Sequence, residues 1–376
     1  MNITAAVVNQ TNDPYQLETL TLTPLQEDEV RVRVVASGIC HSDEAMRVGD
    51  GPHPFPAVFG HEGAGIVEQV GSRVRGIQPG DHVVMSYAWC GHCAYCRHGH
   101  PSHCVDFHKM NSDGLRHDGS TLFQREDGTP VTSFFYQSSF ATYTNTTANN
   151  LIVVDKALDL RLMAPLACGL LTGSGTVFNA LKPAPGSAMA VFGTGAVGMA
   201  AIMAAKIAGC DPIIAVDIHD QRLSLAKELG ATHTINSTKA QATTAIRELT
   251  GGKGVAYALD TSGLTSVMQS ALESVAIGGT FAPLAVARPE LALNPMRDLI
   301  AVSRHIAGVL MGDAVPQSSI PQLIRWYQNG QFPFDKLVKF YDFADINQAQ
   351  ADSASGLAIK PVLIIDRSYA PAQAAG

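Results

Sequence analysis

The chain reads as an α/β protein: a β-rich first part, then a doubly wound parallel sheet. Three observations predict this. Before residue 160, short apolar runs alternate with period two and end at Gly or Pro turns. From Ala188 onward, continuous apolar runs alternate with helix-like stretches. Between the first such run and its helix lies a glycine turn, Gly193-Thr-Gly195-Ala-Val-Gly198. Short strands with Gly/Pro turns point to a barrel-like layer, and alternating strands and helices point to a parallel sheet covered on both faces.

In chain order, Glu29 to Ala36 (EVRVRVVA) has the alternation of a half-buried strand. Gly65 to Val70 and His82 to Met85 read as further strands, bounded by Gly71 and by Pro79-Gly80-Asp81. Ala188 to Phe192 is a buried strand, followed by the glycine turn and a helix to Ala208. Ile213 to Val216 is the next strand and Gln221 to Leu229 the next helix. Val255 to Leu259, Thr280 to Leu284 and His305 to Met311 complete the apolar strands. A helix at Ser318 to Asn329 precedes KLVKFYDF and the apolar run PVLII at 361–365. That last segment is too small to stand alone and is expected to return to the first domain. The expected domains are 1–164, 165–311 and a return over 312–376.

The 376 residues are 46% hydrophobic and 16% charged, an ordinary composition for a protein with a sizeable core. Lys+Arg 26 against Asp+Glu 33 gives a net charge of −7, which argues against a nucleic-acid partner. The N-terminal stretch MNITAAVVNQTNDPYQ lacks a signal-peptide pattern, and no apolar run is long enough to span a bilayer. The expectation is a cytoplasmic, reduced protein with no membrane partner.

Four of the seven cysteines fall in the run CGHCAYCRHGHPSHC: Cys90, Cys93, Cys96 and Cys104. Four thiolates at C-x2-C-x2-C-x7-C spacing fit a closed, tetrahedral structural zinc site. Disulfides are the competing reading, but cysteines this close bridge poorly and nothing else suggests secretion. A closed site does no chemistry, so the reactive centre lies elsewhere.

The glycine turn fits a dinucleotide. Gly193 permits the tight turn, Gly195 lets the backbone approach a pyrophosphate, and Gly198 lets helix and strand pack closely. Asp217 ends the next strand nineteen positions after Gly198, where a carboxylate accepts hydrogen bonds from an adenosine ribose. Its charge would repel a 2′-phosphate, so NAD is expected rather than NADP. Arg222 either stacks near the adenine or is a solvated helix residue.

Three more possible ligands lie 21 and 107 residues apart: Cys40, His61 and Cys168. Catalytic zinc takes three protein ligands and keeps a fourth position open. Spacing alone cannot join these three. The motifs around them can: GICHSDE at 38–44, GHEGAGIVEQVG at 60–71, PGDHV at 79–83, the four-cysteine lobe and CGLLTG at 168–173. With the glycine turn and Asp217, these resemble the zinc-dependent medium-chain alcohol dehydrogenases over nearly the whole chain.

The resemblance implies a GroES-like catalytic domain, carrying the lobe at 90–104, split around a Rossmann NAD-binding domain. It implies two Zn²⁺ per chain, with Cys40, His61 and Cys168 holding the catalytic one. Asp43 is then the carboxylate that orients the zinc-bound imidazole. Glu62 matches the zinc-site glutamate of the family; a satisfied buried acid is the alternative. Thr172 matches a nicotinamide contact and Val197 a residue that packs on that ring. His41 and Lys360 match positions near the pyrophosphate; a surface lysine is the alternative for Lys360. The implied reaction is reversible oxidation of an alcohol to its aldehyde. The alcohol binds as an alkoxide, Ser42 relays its proton, and a hydride passes to NAD⁺. Many members carry a histidine three positions after this serine, where Ala45 stands here.

On whole-chain appearance the sequence is most similar to the bacterial aryl-alcohol (benzyl alcohol) dehydrogenases. Phe134, Phe135 and Phe140 either line the substrate cleft or belong to the β-domain core. Trp89 and Tyr87 stand just before the lobe. The alternatives are S-hydroxymethylglutathione dehydrogenase, a general aliphatic alcohol dehydrogenase, or a non-catalytic binding protein on the same fold. His108 stands where the glutathione enzymes hold an arginine, which counts against that substrate. The family implies a homodimer or homotetramer, with the strand at His305 to Met311 as a candidate sheet edge.

Overall fold

A computed structural model describes residues 1–287 and 289–371. The chain forms two compact units, the first from residues 1–168, 315–321 and 335 onward, the second from 169–314 and 322–334.

The first unit holds two sheets. Five strands follow the order Ala57–Val58, Asn2–Val8, Gln16–Leu22, Phe123–Gln124 and Pro130–Val131. The seven-stranded sheet is built around Glu29–Gly38, which pairs antiparallel with Gly63–Val70, Tyr143–Thr147 and Lys360–Ile364. Its period-two pattern explains its place: Val30, Val32 and Val34 are fully buried, while Arg31 and Arg33 are only partly covered. The core of this unit gathers those valines with Phe59, Phe123, Phe134 and Phe140.

The second unit is a six-stranded parallel sheet. Its order is His233–Asn236, Ile213–Asp217, Met189–Phe192, Val255–Asp260, Val275–Pro283 and His305–Ile306. Counted along the chain this is 3-2-1-4-5-6, the order of dinucleotide-binding sheets. Met189–Phe192 and Ile213–Asp217 are buried along their length, which is why they read as unbroken apolar runs.

Two expectations need correction. The strand expected over 305–311 shrinks to His305–Ile306. Residues 311–313 take left-handed conformations, and a Cβ on Gly312 would meet the Leu171 carbonyl at 2.6 Å, so the chain turns onto the helix Gly169–Gly175 instead of extending. The return expected over 312–376 is also interrupted. Residues 322–334 cluster with the second unit, where Trp326 packs on Phe178 at 4.7 Å between ring centroids. No single helix among the described residues is long and apolar enough to cross a membrane.

Candidate metal and cofactor sites

Cys40, His61 and Cys168 offer one ligand atom each, all within 4.8 Å of one another. Cys40 ends the loop after the strand Glu29–Gly38 and caps the helix His41–Arg47. His61 follows Gly60, whose φ is +93°; a Cβ there would meet the Phe140 nitrogen at 2.5 Å, so only glycine fits. Cys168 closes the 3-10 turn Ala164–Ala167.

Asp43, fully buried, ties two of these together. One carboxylate oxygen accepts from His61 Nδ1 at 2.8 Å and from the Gly60 amide at 3.0 Å; the other accepts from the Cys40 amide at 3.2 Å. With Nδ1 engaged, His61 Nε2 is buried and has no hydrogen-bond partner. An orphaned imidazole nitrogen is costly unless something binds it. The Cys40 and Cys168 sulfurs lie 4.0 Å apart. Thiolates ~2.3 Å from a tetrahedral ion stand ~3.8 Å apart, so two sulfurs and a free imidazole nitrogen suit zinc. The hydrogen bond between the two thiols, with His61 beside it, holds Cys40 well below the ordinary thiol range and raises Cys168.

Glu62 is fully buried beside the cluster, and burial pushes its carboxyl up to about 7 against the opposing charge of Lys360. Lys360 is buried as well. Its Nζ donates to both Glu62 oxygens at 3.0 and 2.8 Å and to the Ile39 carbonyl at 3.1 Å. The solvated-surface placement offered for Lys360 is therefore corrected. Its three donors are engaged inside the first unit, because an uncompensated Glu62 there would be prohibitively desolvated. Ser42 Oγ lies 4.0 Å from Cys40 Sγ, and His41 is exposed at the helix start.

The four-cysteine group Cys90, Cys93, Cys96 and Cys104 also has its ligand atoms within 4.8 Å of one another. Cys93 and Cys96 sulfurs are 3.4 Å apart, and Cys90 and Cys96 3.9 Å. Backbone amides face the sulfurs: Cys90 N lies 3.3 Å from Cys104 Sγ and Cys93 N 3.4 Å from Cys90 Sγ. Backbone N–H groups of Cys96 and Val105 bring the Cys93 thiol down to about 6. All seven cysteines are free.

In the second unit, Gly193 has φ +88°, and a Cβ on Gly198 would meet the Gly193 carbonyl at 1.9 Å. A Cβ on Gly195 would meet nothing, which leaves that amide open to a ligand at the start of the helix Ala196–Ile207. Asp217 accepts from the Thr194 amide and hydroxyl at 2.7 and 2.6 Å, and from the Ile218 and His219 amides at 2.7 and 3.0 Å. Burial would raise it, yet these donors keep its carboxylate below the usual range. Arg222 keeps a buried Nε without a partner. Val197 and Thr172 are partly exposed; a Cβ on Gly173, next to Thr172, would meet the Val197 carbonyl at 2.0 Å.

The aromatic run divides. Phe140 is fully buried against Tyr15, and Tyr87 is fully buried, so these belong to the core. Phe134, in that same core, and Phe135, only partly buried, also pack on His61, with centroids 5.4 and 4.5 Å away. Trp89 donates to the Asn149 carbonyl. His108 is exposed, 4.0 Å from Asp113. Sequence reading missed Gln137, whose buried side chain binds the His61 backbone. A polar residue inside FFYQSSF was the available signal.

Residues 26–156 match the alcohol dehydrogenase GroES-like domain, and residues 196–329 match the zinc-binding dehydrogenase family. The geraniol dehydrogenase of Castellaniella defragrans is 39% identical over 364 residues, covering 96% of this chain and 97% of that protein. Among solved structures, an alcohol dehydrogenase zinc-binding domain protein from Burkholderia ambifaria is 46% identical with a TM-score of 0.94, covering 98% of this chain and 100% of that one. The benzyl alcohol dehydrogenase of Acinetobacter calcoaceticus is 42% identical with a TM-score of 0.93, covering 97% and 100%. The chain belongs to the zinc-dependent medium-chain alcohol dehydrogenases.

Proposed function

We propose that this alcohol dehydrogenase oxidises a primary aromatic or allylic alcohol to its aldehyde with NAD⁺, reversibly, and carries two zinc ions per chain. The observation that carries the reading is the buried, unpartnered His61 Nε2 beside the Cys40 and Cys168 thiols. Zinc held there supplies Lewis acidity toward the alcohol oxygen, and NAD⁺ supplies the hydride acceptor. Asp43 fixes the tautomer of His61, so that Nε2 is the free nitrogen. Lys360 neutralises Glu62 and keeps a second negative charge from the site. Ser42, two residues after Cys40 with its Oγ 4.0 Å from the Cys40 sulfur, takes the alcohol proton in a hydrogen bond and passes it on. Ala45, three residues after Ser42, offers no titratable group there, so water carries the proton further. The four-cysteine lobe holds the structural ion.

Asp217 favours NAD⁺, because a 2′-phosphate would face an ionised carboxylate. Phe135 supports a flat, apolar substrate: its ring lies over His61 and the residue is only partly buried. The relatives named for geraniol and benzyl alcohol act on such molecules by name. His108 in place of a carboxylate-binding arginine disfavours S-hydroxymethylglutathione. A homodimer or homotetramer is supported by the edge strand His305–Ile306 and by the exposed apolar side chains of Val286, Met296 and Ile300.

A zinc assay and a substrate panel followed by NADH absorbance test the reading. The expected result is two zincs per chain, and kcat/KM for benzyl alcohol or geraniol roughly a hundredfold above ethanol. Preference for ethanol or for S-hydroxymethylglutathione overturns it.

A further inference from the structure

The three ligands of the buried cluster come from distant parts of the chain, and Asp43 ties only Cys40 and His61 to each other. A second connection runs from His61 to Cys168. Gln137 is fully buried, and its Nε2 faces three backbone carbonyls: Ser86 at 2.9 Å, His61 at 3.1 Å and Met85 at 3.3 Å. Its Oε1 accepts from the Gly63 amide at 3.2 Å. Ser86, 1% exposed, continues the chain: its hydroxyl donates to the carbonyl of Ala167, the residue before Cys168, at 2.7 Å. One path of hydrogen bonds therefore runs from the His61 backbone through Gln137 and Ser86 to the peptide that carries Cys168.

The segment that delivers Gln137 is itself held in an uncommon shape. Phe135, Tyr136 and Ser138 have φ of 54°, 50° and 48°, left-handed values that such residues adopt only when surroundings impose them. The impositions are visible. Ser138 Oγ donates to the Val58 carbonyl and accepts from the Phe134 amide. Asn150 Nδ2 donates to the Phe135 carbonyl, and the Phe135 amide donates to Asn111 O. Thr144 binds the Gln137 carbonyl. The result sets the amide of Gln137 behind His61 and the Phe135 ring on its face.

We propose that Gln137 and Ser86 are positioning residues that hold His61 and Cys168 at the separation a metal ion requires. The inference rests on the reading of Cys40, His61 and Cys168 as a zinc site. Neither residue touches the ion. Each acts through a backbone carbonyl, and the essential property of Gln137 is its pair of N–H donors.

The test is the rate at which excess chelator removes zinc from the purified enzyme, with the four-cysteine ion as internal reference. Gln137→Leu should release the zinc of the buried cluster about tenfold faster and leave the reference rate unchanged. Ser86→Ala should give about threefold. The double variant should be no faster than Gln137→Leu, because the two bonds act in series. Co²⁺ placed in the buried cluster should show an altered thiolate absorption band in the variants. Wild-type release and spectrum in these variants overturn the proposal. So does acceleration of both ions together, which marks general loosening. If Gln137→Leu does not fold, Ser86→Ala decides. A wild-type enzyme with no zinc outside the lobe refutes the underlying zinc reading instead, and shows it before any variant is made.

Discussion

The two cysteine-bearing clusters of the first unit make opposite use of the chain. In the lobe, four sulfurs come from fifteen consecutive residues, and the hydrogen bonds facing them are from backbone amides of the same turn. Cys90 and Cys93 are partly exposed. In the other cluster, three ligands span 128 residues, and the groups around them are buried side chains: Asp43, Glu62, Lys360 and Gln137. The contrast is between a closed shell and an unfinished one. Four thiolates complete a tetrahedron and leave no position for chemistry, whereas two thiolates and one imidazole leave a position open. A closed site can be specified by a local turn. An open site has to be held from behind, which is why buried charge and amide networks gather there.

Removing a ligand from each cluster should separate these roles. His61→Ala should lower kcat/KM by roughly a thousandfold or more and reduce zinc from two to one per chain, since the Lewis acid is lost. The lobe ion should stay, as metal analysis of the folded variant would show. Full activity in His61→Ala breaks the comparison. Cys93→Ser should do the reverse. It should cost roughly 3 kcal/mol of stability in denaturant unfolding and drop the lobe zinc. The kcat of the protein that stays folded should be unchanged; a parallel fall in kcat would make the lobe more than structural.

The smallest effect sharpens the comparison through a second histidine. His53 is buried among Phe55, Phe59 and Phe134, with Nδ1 on the Ser112 carbonyl, and burial lowers its pKa to about 4. Unlike His61, it has no carboxylate in hydrogen-bond contact among the described residues. Because the folded value lies below the unfolded one, the stability it contributes is complete above pH 6.5 and is lost as pH falls through 4. From pH 7 to 5 the loss is about 2 kcal/mol. His53→Gln should flatten the stability profile between these pH values; an unchanged slope shows that another group carries it.

Several elements were readable in advance for a local reason. The strand at 82–85 appears where its apolar run predicted, and the alternation EVRVRVVA became the central strand of its sheet. The glycine turn sits between strand and helix because close packing at Gly198 tolerates no side chain. The failures share a different reason. The run at 305–311 is apolar enough for a strand, but its last residues turn onto the helix Gly169–Gly175, a contact with no sequence period. Lys360 could be read as a solvated surface cation, yet it is buried on Glu62, 298 residues away. Phe134, Phe135 and Phe140 look alike in sequence; only packing buries Phe134 and Phe140 in the core, leaves Phe135 partly exposed, and sets Phe134 and Phe135 against His61.

By itself, the sequence determined the two architectural styles, the gathering of four cysteines in the lobe, and the glycine turn between strand and helix. In each case the information lies within about fifteen residues, where spacing and helix or strand period translate directly into geometry. Only the tertiary structure decided what surrounds the open cluster: Asp43 on one nitrogen of His61 and none on the other, Lys360 turned inward to Glu62, and Gln137 with Ser86 joining His61 to Cys168. Those partners meet across tens to hundreds of residues. Burial makes each unpaired polar group costly, so it is the closed core, and not the order of residues along the chain, that selects which of them pair.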